Sequence, residues 1–126
     1  MNFDETPEFR KDVKALTKRV PTLAADLKRV RARIESLYML GDDMNEAELA
    51  EFRMQFFSGK VATTLPGSTS EVEIVKIRLD SDTDQYRNKL RVIFTSIKTG
   101  DRVTFIEIYS KNDKDREDSA RIRRYT

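Results

Sequence analysis

VEIVKIRLD (72–80), KLRVIFTSI (89–97) and RVTFIEIYSK (102–111) are the three segments that decide the fold of this chain. Val, Ile, Phe and Tyr dominate each segment, and residues that favour turns, such as Asp, Ser, Thr, Gly and Asn, bound it. This pattern predicts three consecutive β-strands. Because short turns join antiparallel neighbours, we expect the three strands to form an antiparallel sheet.

Side chains of a strand alternate between the two faces of a sheet, and here the alternation separates apolar from polar positions. We expect helices to cover the apolar positions, which are Val75, Ile77 and Leu79, then Leu90, Val92 and Phe94, then Ile106 and Ile108. The opposite positions are Ile74, Lys76 and Arg78, then Arg91, Ile93 and Thr95, then Phe105, Glu107 and Tyr109.

The second face is therefore predicted to be open and mostly cationic. It would show Lys76, Arg78, Arg91, Glu107 and Tyr109, with Lys111 at the strand end. Such a face suits a polyanion, because guanidinium and ammonium groups bind phosphate. Solvated faces of antiparallel sheets also carry charge, so both interpretations stay open at this point.

Two amphipathic helices are predicted before the strands. Thr6 is the expected N-cap of the first helix, with Pro7 at its first position. Pro21 interrupts the helical pattern, Thr22 caps the second helix, and Gly41 ends it. The apolar stripes are Phe9, Val13, Leu16 and Val20 in the first helix, and Leu23, Leu27, Val30, Ile34 and Leu37 in the second.

Three further elements complete the predicted α+β fold. Residues 2–5 form a possible short edge strand, and Asn45 caps a third helix over residues 47–57. Asn112 is the expected N-cap of a last helix that reaches about Tyr125, with Asp113 and Asp115 in its first turn. We expect the helices to lie on one face of the sheet.

Composition excludes several kinds of chemistry. The 126 residues suit one domain and contain neither Cys nor His. Disulfides, Cys-based zinc sites, histidine ligands and histidine-dependent nucleophiles are therefore absent, and we expect no metal and no other cofactor. No apolar run approaches the roughly 20 residues of a membrane span, and residues 1–11 do not resemble a signal peptide. We therefore expect a cytoplasmic protein that does not bind a membrane.

The charges are distributed unevenly although the net charge is only +2. Residues 9–33 contain nine basic and two acidic residues, whereas residues 42–59 contain five acidic residues and one basic residue. This asymmetry predicts a basic surface on the first two helices. Solvated helix faces produce the same pattern, so the charge by itself does not identify a partner.

Three stretches resemble the RelE/ParE superfamily of toxins from bacterial type II toxin–antitoxin modules. TPEFRKDVKAL (6–16) is similar to the family's first helix, and VKIRL (75–79) with LRVIF (90–94) is similar to its central strands. FIEIYSKNDKDREDSARIRRY (105–125) closely resembles the ending of one RelE-like branch and is the most specific of the three. The resemblance implies a single domain over residues 1–126, with an enlarged connection at about 38–70. Its fold would place two N-terminal helices on an antiparallel sheet, followed by a short C-terminal helix.

The resemblance also implies a function. Ribonuclease members enter the ribosomal A site and cut mRNA without metal, by attack of the RNA 2′-hydroxyl on the adjacent phosphate, and so block translation. Matched to this chain, the implied catalytic residues are Lys76, Arg78 and Arg91. Fixed cations stabilise the charge that builds on the phosphate. Lys76 is the candidate base, because the like charges of Arg78 and Arg91 disfavour its protonated form.

The implied RNA-binding residues are Tyr109, Lys111 and Tyr125. Asp118 stands near the position where ribonuclease members carry a Tyr or His, so Tyr109 and Tyr125 are the candidate substitutes. Glu107 lies on the predicted cationic face, where we expect it to pair with an arginine.

Three functions stay open from the sequence. The first is an mRNA endoribonuclease toxin with the ribosome and mRNA as partners. The second is a ParE-like inhibitor of DNA gyrase, and the third is a non-toxic family member that only binds a protein. Both toxins imply a cognate antitoxin, whose acidic amphipathic segment would cover the basic helices.

Overall fold

The computed structural model describes residues 2–39, 44–57, 61–97 and 102–126. Its elements in chain order are β1 (Asn2–Glu5), α1 (Pro7–Thr17), α2 (Leu23–Met39), α3 (Glu46–Phe56), β2 (Ala62–Thr64), β3 (Val72–Leu79), β4 (Leu90–Ile97), β5 (Arg102–Ser110) and α4 (Ser119–Arg124). The strands form one sheet in the order β1-β5-β4-β3-β2. The α+β class predicted from the sequence is confirmed.

The sheet is mixed, not purely antiparallel as predicted. The β2–β3, β3–β4 and β4–β5 pairs are antiparallel, but β1 runs parallel to β5. The chain between β1 and β5 is long and includes three helices, which permits a crossover to a parallel neighbour. The predicted edge strand is confirmed at Asn2–Glu5, whereas β2 was not predicted, because three residues are too few to show a periodicity.

Local capping explains where two of the helices begin. The side chain of Thr6 accepts a hydrogen bond from the Phe9 amide at 3.1 Å, and Pro7 occupies the first helical position. Asn45 accepts from the Glu48 amide at 2.8 Å and donates to the Glu48 carboxylate at 2.7 Å. The predicted caps at Thr6 and Asn45 are confirmed, and α3 begins one residue before the predicted position. Thr22 directly precedes α2, as predicted, but its hydroxyl donates to the Asp26 carboxylate. Gly41, the predicted end of α2, lies outside the described residues.

The main core lies between β3–β5 and the first three helices, and Phe105 is at its centre. The Phe105 ring stacks on Phe9 with 5.2 Å between centroids and on Phe3 with 5.8 Å. Phe94 meets it edge-on at 6.2 Å. The predicted helix-facing positions of β3 and β4 are all buried in this core: Val75, Ile77, Leu79, Leu90, Val92 and Phe94.

The faces predicted for β5 are wrong at Phe105 and Ile106. Ile93 pairs with Glu107 and Phe94 pairs with Phe105, so Ile106 is an extra residue on β5. One extra residue in a strand reverses the alternation beyond it. Phe105 therefore faces the helices, and Ile106 lies in the second cluster on the opposite face.

Side chains satisfy the backbone of β5 at this register shift. The Ile106 carbonyl accepts from Arg121 Nη1 at 3.1 Å and from Thr6 Oγ1 at 3.3 Å. The Ile108 amide donates to Asp12 Oδ2 at 3.2 Å, and Arg121 forms a 2.6 Å ion pair with the same carboxylate. Buried backbone polar groups require hydrogen-bond partners, and these side chains supply them. The same contacts join α1 and α4 to the edge of β5 beyond β1.

The last helix begins later than predicted. Residues 111–118 form a turn followed by irregular structure, and Asp118, not Asn112, caps α4 by accepting from the Arg121 amide at 3.0 Å. The reason is a tertiary contact: the buried carboxylate of Glu107 accepts from the Asp118 amide at 2.8 Å and from Lys114 Nζ. This contact folds the chain back onto β5 before a helix can begin.

The sequence predicted that all helices lie on one face of the sheet, and this prediction is wrong for α4. Ile122 of α4 is buried in the cluster on the face opposite α1 and α2. The other members of that cluster are Leu65, Ile74, Ile93, Ile106 and Tyr109. These apolar residues alternate with the predicted cationic positions, so part of the face needs a cover. Residues 111–126, which follow β5 and are called the tail below, provide that cover. The rest of the face stays open.

Candidate nucleic-acid interface

Arg78 and Arg91 form the centre of the open face. They are direct cross-strand partners in the β3–β4 ladder. Nη1 of Arg91 donates to the carbonyl oxygens of Asn88 at 3.0 Å and Leu90 at 2.9 Å, which orients its guanidinium. Among the described residues, no carboxylate forms a salt bridge with Arg78 or Arg91.

Like charges directly opposite each other destabilise a sheet, so this arrangement has an electrostatic cost. Burial, together with the positive charge of Arg78, lowers the pKa of Arg91. A guanidinium nevertheless stays protonated in proteins. An anion bound between Arg78 and Arg91 would relieve their repulsion and accept hydrogen bonds from both.

Lys76 lies beside the arginine pair in a shallow depression. It precedes Arg78 by two residues on β3, and Thr63 of β2 is its cross-strand partner. Thr63, Lys76, Arg78 and Arg91 line the depression together with Val61 and Ala62. The structure therefore brings the three predicted catalytic residues to one place.

Glu117 from the tail contacts Lys76 directly. Lys76 Nζ is 3.1 Å from Glu117 Oε2. Burial alone would raise the pKa of Glu117, but its own backbone amide and Lys76 donate hydrogen bonds that hold this pKa below its usual value. The carboxylate is therefore charged at neutral pH. The predicted role of Lys76 as a base depends on repulsion from the positive charges of Arg78 and Arg91. The negative charge of Glu117 offsets this repulsion.

Tyr109 is the direct partner of Arg91 on β5, but the tail covers it. It is 4% exposed, and its hydroxyl has no hydrogen-bond partner among the described residues. Lys114 Nζ lies 5.2 Å from the ring centroid. Burial raises the pKa of Tyr109 to about 12, with smaller contributions from Glu117 and Glu107. The phenol is therefore a neutral donor, and its ring is not accessible to a base in this conformation.

Glu107 does not pair with an arginine, contrary to the prediction. It is 1% exposed, and its ionic partner is Lys114 of the tail. The tail neutralises this carboxylate, because an unpaired buried charge would be costly. Glu107 therefore does not occupy Arg78 or Arg91, and both guanidinium groups stay available to an anionic ligand.

The two remaining predicted RNA-binding residues lie in different places. The Lys111 amide donates to the Lys89 carbonyl at 2.7 Å, which places Lys111 at the end of the sheet where β4 begins. Its ammonium donates to the Asp115 carbonyl at 2.6 Å. The hydroxyl of Tyr125 donates to Glu8 of α1, and among the described residues it has no hydrogen bond to the arginine pair.

Sequence analysis missed two residues at this site, Glu117 and Lys114. Both belong to the charged segment 111–118, which resembles the first turns of a solvated helix. Lys76 and Glu117 are 41 positions apart in the chain, and no local pattern relates them. Only the fold of the tail places them against the sheet.

Comparison of the chain with protein-family models, with curated proteins and with solved structures gives no match. None of the helices in the described part of the chain is long and apolar enough to cross a membrane. Within the same residues, Asp and Glu side chains form no group of three that is placed to hold a metal ion.

Replacing Glu117 by glutamine is expected to strengthen binding of single-stranded RNA. The change keeps the shape of the side chain but removes the negative charge that pairs with Lys76. One more free cation should raise the affinity at low salt severalfold, and it should make the salt dependence steeper by about one counterion. Fluorescence anisotropy across a salt series measures both effects. Asp115→Asn is the matched control, because Asp115 is exposed and its contact in this part of the structure is a hydrogen bond from Lys111 to its backbone carbonyl. Equal changes in the two variants would contradict a specific role of Glu117.

Proposed function

We propose that this chain is the toxin of a type II toxin–antitoxin module. It acts in the cytoplasm as a RelE-like mRNA endoribonuclease that depends on the ribosome, needs no metal and blocks translation. The observation that carries this proposal is the Arg78–Arg91 pair, two guanidinium groups opposite each other on neighbouring strands. With Lys76 beside them, they form a site for an RNA phosphate.

The order of the elements also supports the proposal. One edge strand, two helices, three antiparallel strands and a short helix follow the order that the resemblance implies. The additional elements, α3 and β2, lie in the segment proposed as an enlarged connection, and β2 adds Thr63 to the wall of the depression.

The proposed reaction is cleavage of RNA by its own 2′-hydroxyl. A bond forms between the 2′-oxygen and phosphorus, and the bond from phosphorus to the 5′-oxygen breaks. The products are a 2′,3′-cyclic phosphate and a 5′-hydroxyl. Arg78 and Arg91 donate hydrogen bonds to the phosphate oxygens as their negative charge grows. Once Glu117 has moved away, Lys76 acts as a neutral amine that has released one proton to solvent, and it accepts the 2′-hydroxyl proton. The leaving 5′-oxygen takes a proton from water.

Mapping of mRNA 5′ ends after induction of the chain alone tests the proposal. We expect new in-frame ends that carry a 5′-hydroxyl and that disappear when translation initiation is blocked. Growth arrest with intact transcripts would contradict the ribonuclease function. Inhibited supercoiling in the same cells would then identify gyrase as the target.

A second candidate function is protein binding without toxicity. The contact between Lys76 and Glu117 favours it, because in this conformation a carboxylate occupies the cationic site that RNA would use. Harmless expression of both the wild-type chain and Glu117→Gln would support this candidate. Arrest by the Glu117→Gln variant would contradict it.

The cognate antitoxin is the proposed protein partner, bound on α1 and α2. These helices and the C-cap of α1 carry exposed cations at positions 10, 11, 14, 18, 28 and 33. An acidic amphipathic segment would complement this surface and associate quickly.

We expect a co-purified complex with the antitoxin to weaken strongly between about 0.1 M and about 1 M salt, because the Debye length falls from about 10 Å to about 3 Å. Analytical gel filtration at the two salt concentrations measures the effect. Replacing Lys14 and Lys18 by glutamine should weaken the complex at low salt only. A complex that is indifferent to both changes would exclude an electrostatic contact on these helices.

A further inference from the structure

A second cavity opens on the same face of the sheet, next to the cationic depression. Its volume is about 440 Å³, and it lies between the turn that joins β2 to β3 and helix α4. Leu65, Ile74 and Ile122 form an apolar floor, and the rim carries Arg116 and Arg123. The phosphate site described above does not include these residues.

Hydrogen bonds and a glycine conformation define the wall that the turn forms. Gly67 has a φ of +96°, which favours glycine, and a Cβ at this position would lie 3.3 Å from Ile74 Cδ1. The Leu65 amide donates to the Ile74 carbonyl at 2.8 Å. Ser68 Oγ donates to the Leu65 carbonyl at 2.9 Å and accepts from the Ile74 amide at 2.9 Å. The cavity is therefore preformed, which lowers the entropic cost of binding a ligand.

Strand β3 connects the cavity to the arginine pair. Ile74, Lys76 and Arg78 are successive residues on the same face of this strand, so about 13 Å separate the floor of the cavity from Arg78. Glu117 borders both sites, because it lines the cavity and pairs with Lys76. A nucleic acid strand with a phosphate at Arg78 and Arg91 would pass Lys76 and reach the cavity.

The lining of the cavity suits an unpaired base. Its apolar floor favours a flat, weakly hydrated ring, and guanidinium planes such as those of Arg116 and Arg123 stack on bases. Both arginines are exposed, and neither has a carboxylate partner within the described part of the chain. A base in a duplex is stacked and paired, so it would enter the cavity only after leaving the helix.

We propose that this cavity binds one unpaired nucleobase of a single-stranded RNA whose phosphate lies at Arg78 and Arg91. The inference rests on the proposed function and adds a base-binding subsite to it. The subsite positions the strand, while the arginine pair and Lys76 carry the charge of the phosphate.

Two ligands of equal charge and length separate base binding from phosphate binding. One is a labelled single-stranded oligoribonucleotide, and the other is the corresponding abasic ribose-phosphate chain. We expect the wild-type chain to bind the RNA about tenfold more tightly than the abasic chain, in line with the contribution of a stacked base. Fluorescence anisotropy gives both dissociation constants.

Two variants test the cavity directly. Ser119→Phe fills it from the exposed start of α4 without changing the charge, and it should remove the preference for RNA while leaving the affinity for the abasic chain unchanged. Arg123→Ala should weaken RNA binding more than Arg124→Ala. The second variant is a matched control, because Arg124 is the next residue on the same helix but pairs with Glu8 outside the cavity. Urea unfolding verifies that all variants are folded.

The outcomes distinguish the subsite from the phosphate site. Equal affinity for the two polymers, with both weakened by Arg91→Ala, would overturn the base subsite and leave the phosphate site in place. A preference for RNA that survives Ser119→Phe would also overturn the subsite. Failure to bind either polymer would overturn the RNA-binding function together with the subsite.

Discussion

Replacing Arg91 by alanine is expected to abolish growth arrest and in-frame mRNA cleavage without unfolding the protein. The change removes one of two guanidinium groups from the predicted phosphate site. A donor that stabilises developing charge is worth about 10²–10³ in rate, so cleavage should fall below detection. Mapping of 5′ ends and colony counts after induction measure the two effects. The fold should persist, because within the described residues the side-chain hydrogen bonds of Arg91 reach only the neighbouring carbonyl oxygens of Asn88 and Leu90.

Arg87→Ala is the matched control for this prediction. Arg87 lies four residues earlier, and its ionic partner is Asp84, an exposed residue within the same turn. An exposed pair of this kind contributes little, so the control should keep full toxicity. Arg91→Lys should retain partial activity, because an ammonium keeps the charge but loses the two parallel donors of a guanidinium. A folded Arg91→Ala variant that still arrests growth and cuts mRNA would exclude the proposed mechanism.

Replacing Asp26 by alanine is expected to lower the free energy of unfolding by about 3 kcal/mol. The Asp26 carboxylate is fully buried and accepts from Ser81 Oγ at 2.6 Å, Thr22 Oγ1 at 2.8 Å, Arg29 Nη2 at 3.0 Å and the Asp82 amide at 3.2 Å. These bonds join the start of α2 to the connection between β3 and β4. Alanine would leave the buried Ser81 hydroxyl, the part-buried Thr22 hydroxyl and the part-buried Asp82 amide without this acceptor. Urea unfolding monitored by circular dichroism measures the change.

Asp82→Ala is the control for the loss of Asp26. The Asp82 side chain is 67% exposed and forms an ion pair with the same Arg29, so its loss should cost less than about 1 kcal/mol. Equal losses in the two variants would show that the ion pair, not the buried network, provides the stability.

The cost of Asp26→Ala should also depend on pH. Burial would raise the pKa of Asp26, but its hydrogen bonds from Ser81, Thr22, the Asp82 amide and Arg29 together outweigh burial and lower this pKa. A carboxyl with a lowered folded-state pKa stabilises the protein fully above its unfolded pKa of about 4. That stability is lost as the pH falls through the lowered folded-state value. The difference between wild type and Asp26→Ala should therefore shrink in acid, and a constant difference would contradict the ionised network.

The positions of the elements could be predicted from the sequence where short-range patterns set them. The apolar alternation of β3 and β4 located both strands and the faces of their side chains. The 3.6-residue stripes located α1 and α2, and the Thr6 and Asn45 side chains marked two helix starts. These signals act between residues that are close in the chain, so they survive in almost any tertiary context.

The predictions failed where a distant contact outweighed a local preference. Asn112 and the acidic residues after it favour a helix start, yet the buried carboxylate of Glu107 holds the Asp118 amide and delays the helix. One extra residue at Ile106 reversed the faces of β5, and a periodicity count does not reveal such a shift. The contacts of Asp12 and Arg121 that satisfy the backbone there come from opposite ends of the chain.

The sequence by itself determined an α+β chain with three long strands, two amphipathic helices, and Lys76, Arg78 and Arg91 on one face of the sheet. Only the tertiary structure decided which of these cations are free. Strand register made Arg78 and Arg91 direct partners, whereas the tail brought Glu117 to Lys76, covered Tyr109 and paired Lys114 with Glu107. The physical reason is range: periodicity fixes the direction of a side chain within its element, but its partner is set by how distant elements pack.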